Sequence, residues 1–348
     1  MIKKVISIIL LILILIGLTA CGEKELIRYE SEFIMLFDTA TRIVGFAQSK
    51  DEFTEYSQVI YDNLMEYHQL YDIYNDYEGI NNIKTINDNA GIKPVKVDKR
   101  IIDLLKFSKD LYEKTNGKTN IAFGSVLKIW HKYRTEGIED PDNAALPPEK
   151  ELKSAFEHTN IEDIVINEKL STVFLKDPLM SLDVGAIAKG YATEQVSKTV
   201  KDSGMTSGLL SVGGNIRAIN NNVATKAPWN VGIQNPEAST GQSVVEIVKL
   251  DNMSLVTSGD YERYYIVDGE KYNHIIDPGT LYPSKYFTSV SIICEDSGVA
   301  DALSTAIFCM PFEEGLKLIN SMPETEAMWI FSDKTIKYSD NFESFIKN

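Results

Sequence analysis

Between Leu209 and Cys294 the chain lays down one short, strand-like segment after another with no helix among them. Leu209 to Ile219, Asn230 to Gln234, Ser243 to Leu250, Met253 to Thr257, Tyr264 to Val267, Tyr272 to Ile276 and Thr288 to Cys294 each read as a strand. Helical spacing is confined to isolated stretches. These are Asp51 to Tyr71, with Phe53, Tyr56, Ile60 and Leu64 near one face, then Lys99 to Thr115, Ile187 to Asp202, Val299 to Met310 and Phe312 to Asn320. Phe33 to Ala47, Ser171 to Leu175, Ser181 to Val184, Ala327 to Phe331 and Thr335 to Tyr338 complete the strands, and Tyr74 to Pro94 and Asp140 to Pro148 read as loops. Clusters of strands broken by isolated helices predict an α+β fold, not a regular βαβ repeat. No internal repeat and no long linker divides the chain, so one compact catalytic domain is expected over residues 33–348.

Residues 1–20 stand apart from this pattern. Lys3 and Lys4 precede an apolar run from Val5 to Gly17, about 13 residues, shorter than the ~20 of a membrane-crossing helix but suited to a signal peptide. Small residues just before Cys21 resemble a bacterial lipobox, which would make Cys21 a lipidated N-terminus and residues 21–32 a short charged tether. An uncleaved signal anchor is the alternative. Cleavage removes two lysines from a chain whose formal charge is already −15, so acyl chains, not surface charge, would hold it to anionic lipid. The same acidity argues against nucleic acid as a partner. Cys294 and Cys309 fit buried packing positions, and spacing alone leaves their pairing open.

Four segments carry candidate chemistry. Asp183-Val184-Gly185-Ala186-Ile187-Ala188-Lys189-Gly190-Tyr191 places small residues where a strand gives way to a helix, a position that exposes unpaired N–H groups to phosphate. It reads equally as a plain strand–turn–helix with a surface lysine. In Ala300 to Ala306, Asp301 and Thr305 are four apart and share a helix face. That is a partial oxygen cage for Mg²⁺, or a first-turn carboxylate favoured by the helix dipole. His274, before Ile275-Ile276-Asp277-Pro278, can act as a base or hold a strand end; His68, His131 and His158 have no supporting context. Ser211-Val212-Gly213-Gly214-Asn215 and Thr257 to Arg263 are bends that admit a ligand or simply turn the chain.

Taken in this order, with Phe37-Asp38-Thr39 and Tyr71-Asp72-Ile73-Tyr74 before them, the segments resemble the FAD:protein FMN transferases, the ApbE-type flavin transferases, over nearly the whole chain after the leader. The resemblance implies an ApbE-like, T-fold-like architecture and a lipoprotein on the outer face of the bacterial cytoplasmic membrane. It implies an enzyme that uses Mg²⁺ to move FMN from FAD onto a Thr or Ser hydroxyl of an acceptor flavoprotein, releasing AMP. By matched position Ala186, through its carbonyl, with Asp301 and Thr305 would hold the metal, and Asp183 and Lys189 would contact FAD. Phe37, Tyr74, Lys118, Thr119, Asn120 and Ile275 or Ile276 match other flavin contacts, and His274 would be the base. Phe37-Asp38-Thr39 departs from the family's Met-Gly-Thr, and Lys118-Thr119-Asn120-Ile121 replaces a Phe-Asp-Ile-like segment. A Mg²⁺-dependent FAD pyrophosphatase and a non-catalytic flavin-binding lipoprotein are the competing readings.

Overall fold

The computed structural model describes residues 25–237 and 243–347; the leader and Cys21 lie outside them. In chain order the elements are β1 (Ile27–Leu36), β2 (Thr39–Ala47), α1 (Lys50–Tyr71), α2 (Ile83–Asp88), β3 (Val95–Lys96), α3 (Lys99–Lys114), α4 (Gly124–Glu139), α5 (Glu149–Phe156), β4 (Ile164–Asn167), β5 (Thr172–Leu175), α6 (Ala188–Asp202), β6 (Gly208–Val212), β7 (Asn215–Ile219), β8 (Trp229–Gln234), β9 (Val244–Leu250), β10 (Ser254–Gly259), β11 (Tyr264–Val267), β12 (Glu270–Asn273), β13 (Ser289–Cys294), α7 (Ser297–Phe308), α8 (Phe312–Asn320), β14 (Glu326–Ile330) and β15 (Ile336–Tyr338).

Eight strands form one antiparallel sheet in the order β1-β2-β6-β7-β10-β13-β14-β15. The period-2 alternation of β2 decides what lies on each face. Ile43 and Ala47 join a core with α1, α3 and α6, while Val44 and Phe46 join one with the β8–β9 hairpin. β13 is buried along its whole length, Val290 and Ile292 toward α7 and Ile293 toward the hairpin. A strand covered on both sides needs no polar face, which is why this stretch is so uniformly apolar in sequence. A three-stranded sheet, β3-β5-β4, joins the α1/α3 core, and the β11–β12 hairpin packs with α4 in a separate cluster around Trp130 and Tyr265.

The expected α+β class is what is observed, with two local corrections. The reading of residues 21–32 as a tether fails from Ile27 onward, because Ile27 to Leu36 pairs with β2 as an edge strand whose Glu30 takes ion pairs from Arg28 beside it and from Arg42 of β2. The single strand expected from Phe33 to Ala47 is broken at Phe37-Asp38, both with positive φ (52° each). Two such residues turn a hairpin tightly enough to match the strands' twist. The sequence reading also placed α2 inside a loop, Tyr74 to Pro94, and left α4 and α5 unassigned. Cys294 and Cys309 are buried free thiols.

Candidate active site

The site is built where α6 and α7 cross. Glycines bring the helices together: a Cβ on Gly190 would lie 2.3 Å from the Ser297 carbonyl oxygen, and one on Gly298 would lie 3.1 Å from Tyr191 Cα. α6 starts at Ile187 without any side-chain cap, so its first N–H groups need acceptors from elsewhere. Asp301 supplies one, its Oδ2 accepting from Gly190 N at 2.8 Å across the helix crossing. Asp301 of α7 thus meets the first turn of α6.

Asp301 is 5% exposed, not the exposed carboxylate that a surface metal ligand suggests. Burial raises its carboxyl above the ordinary range, opposed by the Lys189 ammonium, the Gly190 N–H and the Asn215 carboxamide. Lys189 Nζ stands 4.0 Å from Asp301 Oδ2 and donates to the Gly185 carbonyl at 3.4 Å, bridging the turn and the carboxylate. Thr305 is half-buried. Ala186, Asp301 and Thr305 offer only oxygens, and no group of three His, Cys, Asp or Glu side chains positioned to hold a metal occurs among the described residues. A hard ion that completes its shell with water and phosphate fits such a set; a soft transition metal does not.

Asp183 tightens the turn by accepting from Gly185 N at 2.9 Å. Beside it opens a cleft of about 410 Å³ lined by Tyr74, His131, Lys132, Arg134, Thr135 and Glu136. The Tyr74 hydroxyl meets His131 Nδ1 at 3.0 Å, so His131 has a context that the sequence did not reveal. His274 Nδ1 lies 3.2 Å from the Arg263 carbonyl. A carbonyl only accepts, so Nδ1 carries the proton and Nε2 keeps its lone pair. Removal from water, then the Arg263, Arg134 and Lys189 cations, push His274 down to about 3, against that hydrogen bond. Arg134 and Arg263 are site residues that sequence reasoning missed as such. They come together only because β11, entered from Arg263, packs on α4 at Gly137, where Tyr265 fills the space a Cβ would take.

Other matched positions fall differently. Phe37 sits at the β1–β2 turn, its amide donating to His68 Nδ1 at 3.2 Å and its ring edge-on to the imidazole. Thr119 is 2% exposed and donates to the Ala302 carbonyl. Lys118 pairs with Asp277, and Asn120 bonds the Thr159 carbonyl and the Ala122 amide. Ile275 and Ile276, each 6% exposed, belong to two different cores. Lys118, Thr119 and Asn120 are thus engaged by the protein itself, and Ile275 and Ile276 are packed in its cores.

The ApbE family model matches residues 37–329. An FAD:protein FMN transferase of Treponema pallidum is 32% identical over 342 residues, covering 94% of this chain and 92% of the relative. One from Klebsiella pneumoniae is 29% identical over 273 residues, covering 77% and 82%. The crystal structure of the ApbE protein from Thermotoga maritima superposes with a TM-score of 0.81 at 29% identity, covering 92% of this chain and all of that one.

Proposed function

The chain belongs to the ApbE family and is a transferase, and from that premise we propose that it moves FMN from FAD onto a Thr or Ser hydroxyl of an acceptor flavoprotein, with Mg²⁺ as cofactor and AMP as the leaving group. The observation that carries the reading is the crossing of α6 and α7. It sets a buried carboxylate, a cation and a small-residue helix start side by side, a combination suited to a diphosphate.

Ala186, Asp301 and Thr305 would hold the metal, which supplies neutralisation of the charge that builds on the diphosphate oxygens. Lys189 adds a second positive charge there, and the positive end of the α6 dipole favours the same anion. The acceptor oxygen forms a bond to the flavin-side phosphorus while the bond from that phosphorus to the AMP oxygen breaks. The hydroxyl proton passes to His274 Nε2, left as the lone-pair nitrogen by the bond from Nδ1 to Arg263. Removal from water, and then three cations, suppress the basicity of His274. A bound diphosphate offsets the cations, so the base gains strength when substrate is present.

Incubation with FAD, Mg²⁺ and a candidate acceptor domain should give AMP and an acceptor heavier by one FMN in stoichiometric amounts. Free FMN with an unmodified acceptor would make the protein a pyrophosphatase, and FAD recovered intact would make it a binding protein. The leader supports export and lipid attachment at Cys21 on the outer face of the cytoplasmic membrane. Cys21→Ser should move the protein out of the membrane fraction; unchanged fractionation would refute that assignment.

A further inference from the structure

Lys118 and Thr119 are adjacent in the chain, and each is committed to a different half of the site. Lys118 Nζ pairs with Asp277 Oδ1 at 2.7 Å, and the Asp277 side chain is 4% exposed. Asp277 closes the loop that follows His274: its amide donates to the Tyr282 carbonyl, its carbonyl accepts from Leu281 N, and its carboxylate accepts from Gly279 N. Thr119 Oγ1 donates at 2.8 Å to the carbonyl of Ala302, the residue after Asp301. Two residues on, the Ile121 carbonyl accepts from Asp183 N at 2.9 Å. One four-residue stretch, outside any helix or strand, therefore grips the His274 loop, the Asp301 helix and the Asp183 turn.

We propose that Lys118 and Thr119 are positioning residues, a strap that sets the separation between His274 and Asp301 without contacting flavin. Neighbouring Cα atoms are about 3.8 Å apart, so the two anchors cannot drift independently. Proton transfer from an acceptor hydroxyl whose phosphorus target is held near Asp301 depends on that separation, and a misplacement of about 1 Å costs on the order of a hundredfold in rate. The inference rests on the transferase reading, and it reassigns two positions that the family resemblance gives to flavin binding.

The test separates alignment from binding. FAD affinity is measured by flavin fluorescence with no acceptor present, and kcat by covalent flavinylation. Lys118→Met/Asp277→Asn removes both charges together, so no buried carboxylate is stranded. It should hold FAD affinity within about twofold while kcat falls at least ~10-fold. Thr119→Val should behave likewise, and Thr119→Ser, which restores the hydroxyl, should recover transfer; this pair carries the test should the double variant not fold. Weakened FAD binding with kcat retained would make Lys118 a ligand contact and overturn the proposal, as would wild-type kinetics in the variants. Absence of transfer by the wild-type protein would instead be a failure of the functional reading.

Discussion

Gly190→Ala is the most direct probe of the helix crossing. The added methyl would meet the Ser297 carbonyl oxygen at 2.3 Å and Asp301 Cβ at 2.5 Å, each about an ångström inside ordinary contact. Neither is the end of a flexible side chain, so α6 and α7 must move apart by roughly that amount. Overpacking of this kind costs typically ~1–3 kcal/mol. Stretching the hydrogen bond from Gly190 N to a buried carboxylate costs about 1.5–3 kcal/mol more, and alanine returns about 1 kcal/mol in helix propensity. The net loss is roughly 1.5–5 kcal/mol, or a fall in Tm on the order of 2–7 °C for a chain of this size. Thermal unfolding followed by circular dichroism reads the stability, and a Mg²⁺ titration of flavin transfer reads the site. We expect a lower Tm together with weakened Mg²⁺ dependence. A variant that melts with the wild type and titrates identically would refute the claim that this contact sets the position of Asp301.

His274→Gln should abolish transfer while leaving FAD affinity largely intact; equal loss of both would mean that the imidazole shapes the pocket instead of taking a proton. Because burial, and then the neighbouring cations, hold His274 at about 3, below the usual ~6.5, its neutral form persists as pH falls. The acid limb of kcat/KM, which reports the free enzyme, should therefore lie well below pH 6, and Arg263→Met should move it upward; a wild-type limb near 6.5 would contradict this. Asp301→Asn should fold like the wild type yet lose transfer, since the amide oxygen still accepts from Gly190 N, and gross unfolding by circular dichroism would count against it. Cys294 and Cys309, free, buried and raised by burial, should react with a thiol reagent only in denaturant; rapid labelling of either in the native protein would show the packing to be looser.

Periodicity is local physics, which is why the alternation of β2, the helical face of α1 and the buried run of β13 were all legible. The hairpin turn at Phe37-Asp38 was not, because only positive φ at two non-glycine residues breaks the strand there, and nothing in their side chains announces it. Helical spacing put Asp301 and Thr305 on one face of α7, but the meeting of Asp301 with α6 depends on Gly190 as a bare crossing point. Arg134 and Arg263 are separated in the chain by everything from α5 to β10, and His131 gains meaning only from Tyr74 across the cleft. Lys118 to Asn120 carry the opposite lesson. A polar segment at a ligand-contacting position in relatives looks the same in sequence whether it faces a ligand or ties the protein together, and only burial and hydrogen-bond partners separate the two.

Asp301 is not the first-turn carboxylate of its own helix, which Asp296 caps; it serves the start of α6 instead, and that structural role need not compete with holding a metal. Its Oδ2 accepts from an otherwise uncapped helix start, and that bond fixes the direction of the carboxyl plane. Burial alone would drive the carboxyl toward its neutral form, since an ion taken from water is costly unless paired. One backbone N–H, the Asn215 carboxamide and an ammonium at 4.0 Å oppose that cost without a close ion pair. A carboxylate so oriented and so incompletely paired gains more from a nearby divalent cation than a solvated one does, because less water must be displaced to reach it. The cap that stabilises the helix crossing is then the same group that prepares the site for a cation, and the Gly190 and Asp301 variants separate these two effects by removing the geometry in one case and the charge in the other.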